Sequence, residues 1–151
     1  MTNPHLRIFP YSRDEFPSID SLTTWLMTGL KARGGTYYLR SANSVRDLDP
    51  GSIVLFRYHD KIIGEGVVTN YIKGSAPDRT IPGEDFEYEA RVVFAPSSIR
   101  LYAPPVPVDA LQRCIGEEPN IVPSAQPYFK LTDWSVYPKL LAVVTRGGLL
   151  L

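Results

Sequence analysis

The stretch Pro50-Gly51-Ser52-Ile53-Val54-Leu55-Phe56-Arg57-Tyr58-His59-Asp60-Lys61-Ile62-Ile63-Gly64-Glu65-Gly66-Val67-Val68 decides the fold. Two runs dense in Val, Ile, Phe and Tyr favour pleated surfaces, and His59-Asp60-Lys61 between them tolerates turn geometry, so the reading is a β-hairpin. Gly64 and Gly66 interrupt its second strand, as happens where a strand bends sharply or another backbone comes close. Tyr37-Tyr38-Leu39-Arg40-Ser41 precedes the hairpin as a further strand, and the whole points to a small curved barrel.

Outward from the hairpin, Ser18 offers an N-cap oxygen, and Ile19, Leu22, Trp25, Leu26 and Leu30 recur at helical spacing until Gly34-Gly35. Residues 1–17 hold three prolines and no clear period and are expected as an extended arm ahead of one domain spanning 18–151. Thr36 to Ser41, Ser52 to Tyr58 and Ile62 to Ile72 read as strands, with Ala42 to Pro50 as a polar crossing. Lys73 to Asp85 reads as a loop longer than compact domains usually carry. Phe86 to Phe94 and Ile99 to Tyr102 read as further strands, with Glu87 and Glu89 on a solvent face. Pro104-Pro105-Val106-Pro107 is expected to resist regular hydrogen bonding and to lead into a helix, Val108 to Ile115, stopped by Gly116. Thr132 or Asp133 caps a last helix that includes Tyr137 to Leu141. The sum is an α+β domain of five or six strands with flanking helices.

The chain has 151 residues, one domain's worth, and its 16 basic and 16 acidic residues cancel. Global electrostatics therefore gives no case for a nucleic-acid or membrane partner. Between Lys31 and Lys61 the balance is six basic residues to three acidic, which makes a basic face conceivable on a neutral molecule. One cysteine, Cys114, excludes an internal disulfide and reads as a core residue of a helix. The absence of a signal-like start and of a long apolar run leads to the expectation of a cytoplasmic protein off the membrane. Two histidines, His5 and His59, are too few for a zinc or iron centre, and neither a Gly-x-Ser-x-Gly elbow nor a phosphate-cradling glycine loop is present. No metal, cofactor or catalytic residue is assigned. The aromatics lead elsewhere: nine tyrosines, six phenylalanines and two tryptophans include Tyr37, Tyr38, Tyr58, Tyr71, Tyr88 and Trp134 close to loops and arginines. Such rings stack on unpaired bases.

The run from Gly51 to Val68 resembles the core hairpin of the PUA-like superfamily, which includes the PUA, ASCH, EVE and YTH domains. Thr36 to Ser44 is similar to the first strand of EVE and YTH domains, and Val92 to Pro105 resembles segments of PUA-like modules fused to bacterial restriction nucleases. The resemblance implies a curved pseudo-barrel that takes a modified base beside the first strand. Its base-binding set is Tyr37, Ser41, Asn43, Ser44 and Tyr71 with Trp25 and Trp134, although the two tryptophans depart from the family's cage positions. Asn43 presents both a donor and an acceptor for a base edge. Arg33, Arg40, Arg46, Arg57, Lys61, Lys73 and Arg79 are the candidate phosphate contacts. The expected function is a non-catalytic reader of a modified, flipped base, in DNA rather than RNA, serving a restriction or defence system beside a nuclease domain or subunit. The rival is an ASCH-like hydrolase or RNA-binding or RNA-cleaving domain using Lys61, Tyr58 or Glu65. A third reading, a protein-binding module, rests on the proline-rich Ala103 to Val108.

Overall fold

The computed structural model describes residues 4–39, 48–72, 81, 86, 88, 90–122, 130–147 and 149–150. The hairpin is as read: β3 (Ile53–Tyr58) pairs antiparallel with β4 (Lys61–Ile72), from Ile53 opposite Val67 to Tyr58 opposite Lys61. Only His59 and Asp60 lie in the turn, and His59 takes a positive φ of 53°, a conformation enriched in His, Asn and Asp.

Every residue of β3 is buried. Val54, Phe56 and Tyr58 enter one core cluster and Ile53 and Leu55 a second, so the strand lies between two apolar layers. A strand buried on both faces has no polar alternation. The same physics governs β1 (Leu6–Tyr11), which pairs in parallel with β3 and sends Phe9 and Tyr11 to the first layer and Leu6 and Ile8 to the second. Residues 6–11, within the segment expected as an arm, are extended but sit inside the sheet. Beside them Arg7 is 1% exposed, with its Nη2 3.2 Å from His5 Nε2, and Ser52 Oγ accepts from His5 N–H at 3.1 Å.

The helix begins as expected. Ser18 Oγ accepts from Ser21 N–H at 3.1 Å and Ser21 Oγ from Ser18 N–H at 3.2 Å, a reciprocal capping box. α1 (Ile19–Thr24) then widens into a π-helical turn over Trp25–Leu30, with Leu22, Leu26 and Leu30 buried in the first layer. Gly35 follows at φ 82°, where a Cβ would stand 2.0 Å from Phe94 O, so only glycine admits this approach to the sheet.

β4 is shared along its length. Lys61 to Glu65 pair with β6 (Arg100–Pro107), and Val68 to Ile72 pair with β5 (Ala90–Phe94), with register shifts between Ile62 and Gly64 and between Val68 and Asn70. β2 (Thr36–Leu39) adds beyond β5, giving the order β2-β5-β4-β3-β1-β7 with β7 at Lys130–Leu131. Among the described residues six strands have four or more residues, and β7 and β8 (Leu149–Leu150) have two each. β6 corrects one expectation. It runs on through Pro104, Pro105 and Pro107, pairing Val106 with Ile62 and Pro107 with Lys61, because a strand missing some N–H donors still pairs through the rest of its ladder.

α2 (Val108–Ile115) ends at Gly116 as expected, and buried Cys114 is part of the second layer with Ala110 and Leu111. α3 (Val136–Gly147) is longer than its predicted core and adds Val136, Leu140 and Val144 to that layer. Ahead of it the Ser135 side chain and, at 3.0 Å, the Ser135 N–H both hydrogen-bond the Asp133 carboxylate, which holds the carboxyl below its usual range. Among the described residues no helix is long and apolar enough to cross a membrane.

A Cβ on Gly64 would stand 2.2 Å from Arg100 O, a backbone atom that cannot step aside without parting β6 from β4. Gly64→Ala is expected to cost about 3 kcal/mol, which for a chain of this size lowers the melting temperature by roughly 6–12 °C. A thermal melt matching the parent protein would show that β6 is not held this closely.

Candidate nucleic-acid interface

Strand register decides which predicted residues meet. Tyr37 on β2 and Tyr71 on β4 both lie opposite Val92 of β5, so the three form one cross-strand row, and both tyrosines pack against the first core layer. With strands about 4.8 Å apart the tyrosine Cα atoms are separated by roughly 10 Å across the valine. The helix supplies the next ring: Trp25 meets Tyr37 edge-on at a centroid distance of 5.3 Å and 66°.

Trp25 can lie along its helix because the residue one turn later is glycine. A Cβ on Gly29 would come 2.8 Å from Trp25 Cδ1. The π-helical geometry starts at Trp25 itself, and such turns are uncommon and concentrate at functional sites. Phe16 at 5.5 Å from Trp25, and Tyr11 at 6.4 Å and Phe9 at 6.1 Å from Tyr37, extend the rings into a continuous aromatic layer between helix and sheet. In that layer the Tyr11 and Tyr37 hydroxyls are hydrogen-bonded to each other. Burial pushes the Tyr37 phenol up to about 12 and, with the neighbouring Tyr37, holds Tyr11 well above the ordinary range.

Trp134 stands apart from this set. It is 38% exposed and donates through Nε1 to Pro4 O at 3.2 Å, beside the start of β1. Ser41, Asn43 and Ser44 continue the chain from β2 but lie outside the described residues, as do Arg40, Arg46, Lys73 and Arg79, and Glu87 and Glu89 on the expected solvent face.

Three candidate phosphate contacts are described. Arg33 is exposed in the turn between the helix and β2, and Lys61 is half-buried at the hairpin, the opposite end of β4 from Tyr71. Arg57 is 7% exposed and faces inward: Nε donates to His59 O at 2.6 Å, Nη1 to Ile121 O at 2.5 Å and Nη2 to Val122 O at 2.9 Å. Its guanidinium fastens the hairpin turn to the segment after α2, and burial lowers its pKa. The sign was in the sequence, since Arg57 shares the face of Ile53 and Leu55 in a run without polar alternation.

Sequence reasoning left a second cluster unassigned. Glu65 is 2% exposed, and its two carboxylate oxygens accept from Tyr102 Oη at 2.8 Å and Tyr137 Oη at 2.6 Å. Burial, reinforced by Glu65, raises both phenols, so they remain protonated donors. The cluster joins β4, β6 and α3 and satisfies a carboxylate that would be costly to bury alone.

No protein-family model matches the chain, and no curated protein matches it. Among solved structures it is similar to a serine-to-alanine mutant of ZmASCH from Zymomonas mobilis, with a TM-score of 0.54 and 11% identity over 95% of this chain and 99% of that one. The fold is PUA-like. In PUA-like terms the expected curved sheet with flanking helices is present, and the row of Tyr37, Val92 and Tyr71 lies at the β2 end of it.

The raised phenols make stability depend on pH in one direction. In the unfolded chain tyrosine loses its proton near pH 10, and in the folded chain Tyr37 keeps it to about 12. Between those values the folded state holds more protons, so raising the pH favours unfolding. Stability is expected to hold up to pH 10 and fall from 10 to 12 in chemical denaturation, with a shallower fall in Tyr37→Phe. Identical slopes for the two proteins would contradict this account of the aromatic layer.

Proposed function

We propose that the chain is a nucleic-acid-binding module that takes an unpaired base at the β2 end of the sheet, with Trp25, Tyr37 and Tyr71 as the aromatic surface. The observation that carries the reading is that Tyr37 touches Trp25 of the helix and shares a cross-strand row with Tyr71, so a helix and two separate strands supply the three. Ser41, Asn43 and Ser44 follow directly on β2 and would supply edge hydrogen bonds, and Arg33, with Arg40 and Arg46 in the adjoining segment, the phosphate contacts. Stacking on rings is tolerant of base identity, whereas amide and hydroxyl groups discriminate base edges. A modified base in DNA, read for a restriction or defence system, is the specific form proposed.

A hydrolytic ASCH-like function would draw on Lys61, Tyr58 and Glu65. Tyr58 Oη donates to Phe16 O at 2.7 Å, and Glu65 is enclosed by two phenols. Lys61 lies four residues from Glu65, about 13 Å along β4. These groups do not face one reacting point, so the binding reading is the better supported.

Anisotropy titrations against matched oligonucleotides test it: unmodified, N6-methyladenine, 5-methylcytosine and 5-hydroxymethylcytosine, as single and double strands of DNA and RNA. One modified form is expected to bind at least tenfold tighter than its unmodified match, with affinity falling as salt rises. Trp25→Ala and Tyr71→Ala are each expected to weaken it by about 1–3 kcal/mol. Equal failure of every oligonucleotide, or binding indifferent to salt, overturns the reading.

A further inference from the structure

β2 and β5 have a second face. Ala90, Val92 and Phe94 point into the first core layer, so Arg91 and Val93, which are half-buried, lie on the other side of β5. Register sets Tyr38 of β2 opposite Arg91 and Thr36 opposite Val93, and β4 brings Asn70 opposite Val93. α1 packs on the core side of this sheet, and the layer that holds α2 and α3 contains no residue of β2 or β5. Among the described residues no helix covers this outer face.

Aromatic rings run across it in contact. Tyr38 meets Tyr88 at 5.5 Å and 47°, and Tyr88 meets Phe86 at 4.6 Å and 68°. Phe86 is 44% exposed, a large outlay of apolar surface to water. Arg91 Nε is buried and has no hydrogen-bond partner among the described residues. A desolvated donor without an acceptor is destabilising, and one set opposite Tyr38 in the strand register is suited to an anionic or π-rich ligand.

We propose that this outer face is a stacking platform for single-stranded nucleic acid, carrying the nucleotides next to the base held at Trp25, Tyr37 and Tyr71; the proposal rests on that binding reading. Sheet faces that present aromatic side chains stack successive unpaired bases, and arginine beside them contributes cation–π and phosphate contacts. The two sites share β2. Tyr37 and Tyr38 are adjacent residues on opposite faces, and the Tyr88 hydroxyl is near enough to Tyr37 to act on its ionisation. A protein-binding use of the same rings would leave Arg91 without a specific role, whereas a polyanion with π-faces engages both kinds of group.

The test uses the full chain and fluorescein-labelled single strands of three and nine nucleotides, as RNA and as DNA carrying the preferred base. The nine-nucleotide strand is expected to bind at least tenfold tighter than the three-nucleotide one. Phe86→Ala and Arg91→Gln are each expected to weaken the longer strand by about 5- to 100-fold and leave the shorter one unchanged. Phe86→Leu, which keeps apolar packing against Tyr88 but removes the ring, is expected to show the same selective loss and excludes a folding effect. Wild-type affinity of the longer strand for Phe86→Ala and Arg91→Gln overturns the platform, as does the absence of any length dependence. Failure of the platform alone leaves trinucleotide binding that is still sensitive to Trp25→Ala. Failure of the underlying reading removes binding at both lengths or makes it indifferent to Trp25.

Discussion

The architecture depends on one close approach, that of β6 to β4 at Gly64, where a side chain would collide with Arg100 O. Because β4 tolerates that contact, its first half is taken by β6 and its second half by β5, while β3 runs along it from the turn to Val67 with one register shift between Phe56 and Arg57. A strand shared in this way must turn as it passes from one partner to the next, and the register shifts mark where it does so. Neither β5 nor β2 beyond it contributes to the layer of α2 and α3.

At the β2 end of the sheet the physical chemistry changes. The centre of the sheet is closed by aliphatic packing and by polar groups that satisfy one another, as Glu65 does with Tyr102 and Tyr137 and Arg57 with three carbonyls. The β2 end is aromatic and only partly enclosed. Trp25 and Tyr37 are both half-buried, stabilised by ring contacts and still partly open to solvent. Trp25 owes its place to the missing side chain at Gly29 and to the π-helical turn that starts at Trp25.

The parts legible in the sequence are those with a period or a punctuating residue. The hairpin was marked by its turn, the first helix by Ser18 and its leucine spacing, α2 by Gly116, and the close approach of another backbone to β4 by Gly64. β1 escaped because a strand buried on both faces carries no alternation, and its prolines suggested an arm. β6 was cut short at Tyr102 because prolines were weighed as breakers, although its remaining donors still pair. Tyr37 and Tyr71 were nominated together through a family resemblance, and their shared row across Val92 is a matter of register between strands whose nearest ends, Leu39 and Lys61, are 22 residues apart, which neither composition nor spacing makes visible. Trp134 was nominated with them by residue type alone, and the fold places it beside Pro4.

The most direct test of the base site reads Trp25 itself. The chain has two tryptophans, so Trp134→Phe leaves Trp25 as the sole indole. Titrating that protein with the preferred oligonucleotide while following both tryptophan emission and anisotropy asks whether binding occurs at this ring. A base stacked at Trp25 is expected to quench its emission with the same midpoint as the anisotropy change. Saturable binding by anisotropy with Trp25 emission unaltered would contradict the account and put the ligand elsewhere on the molecule.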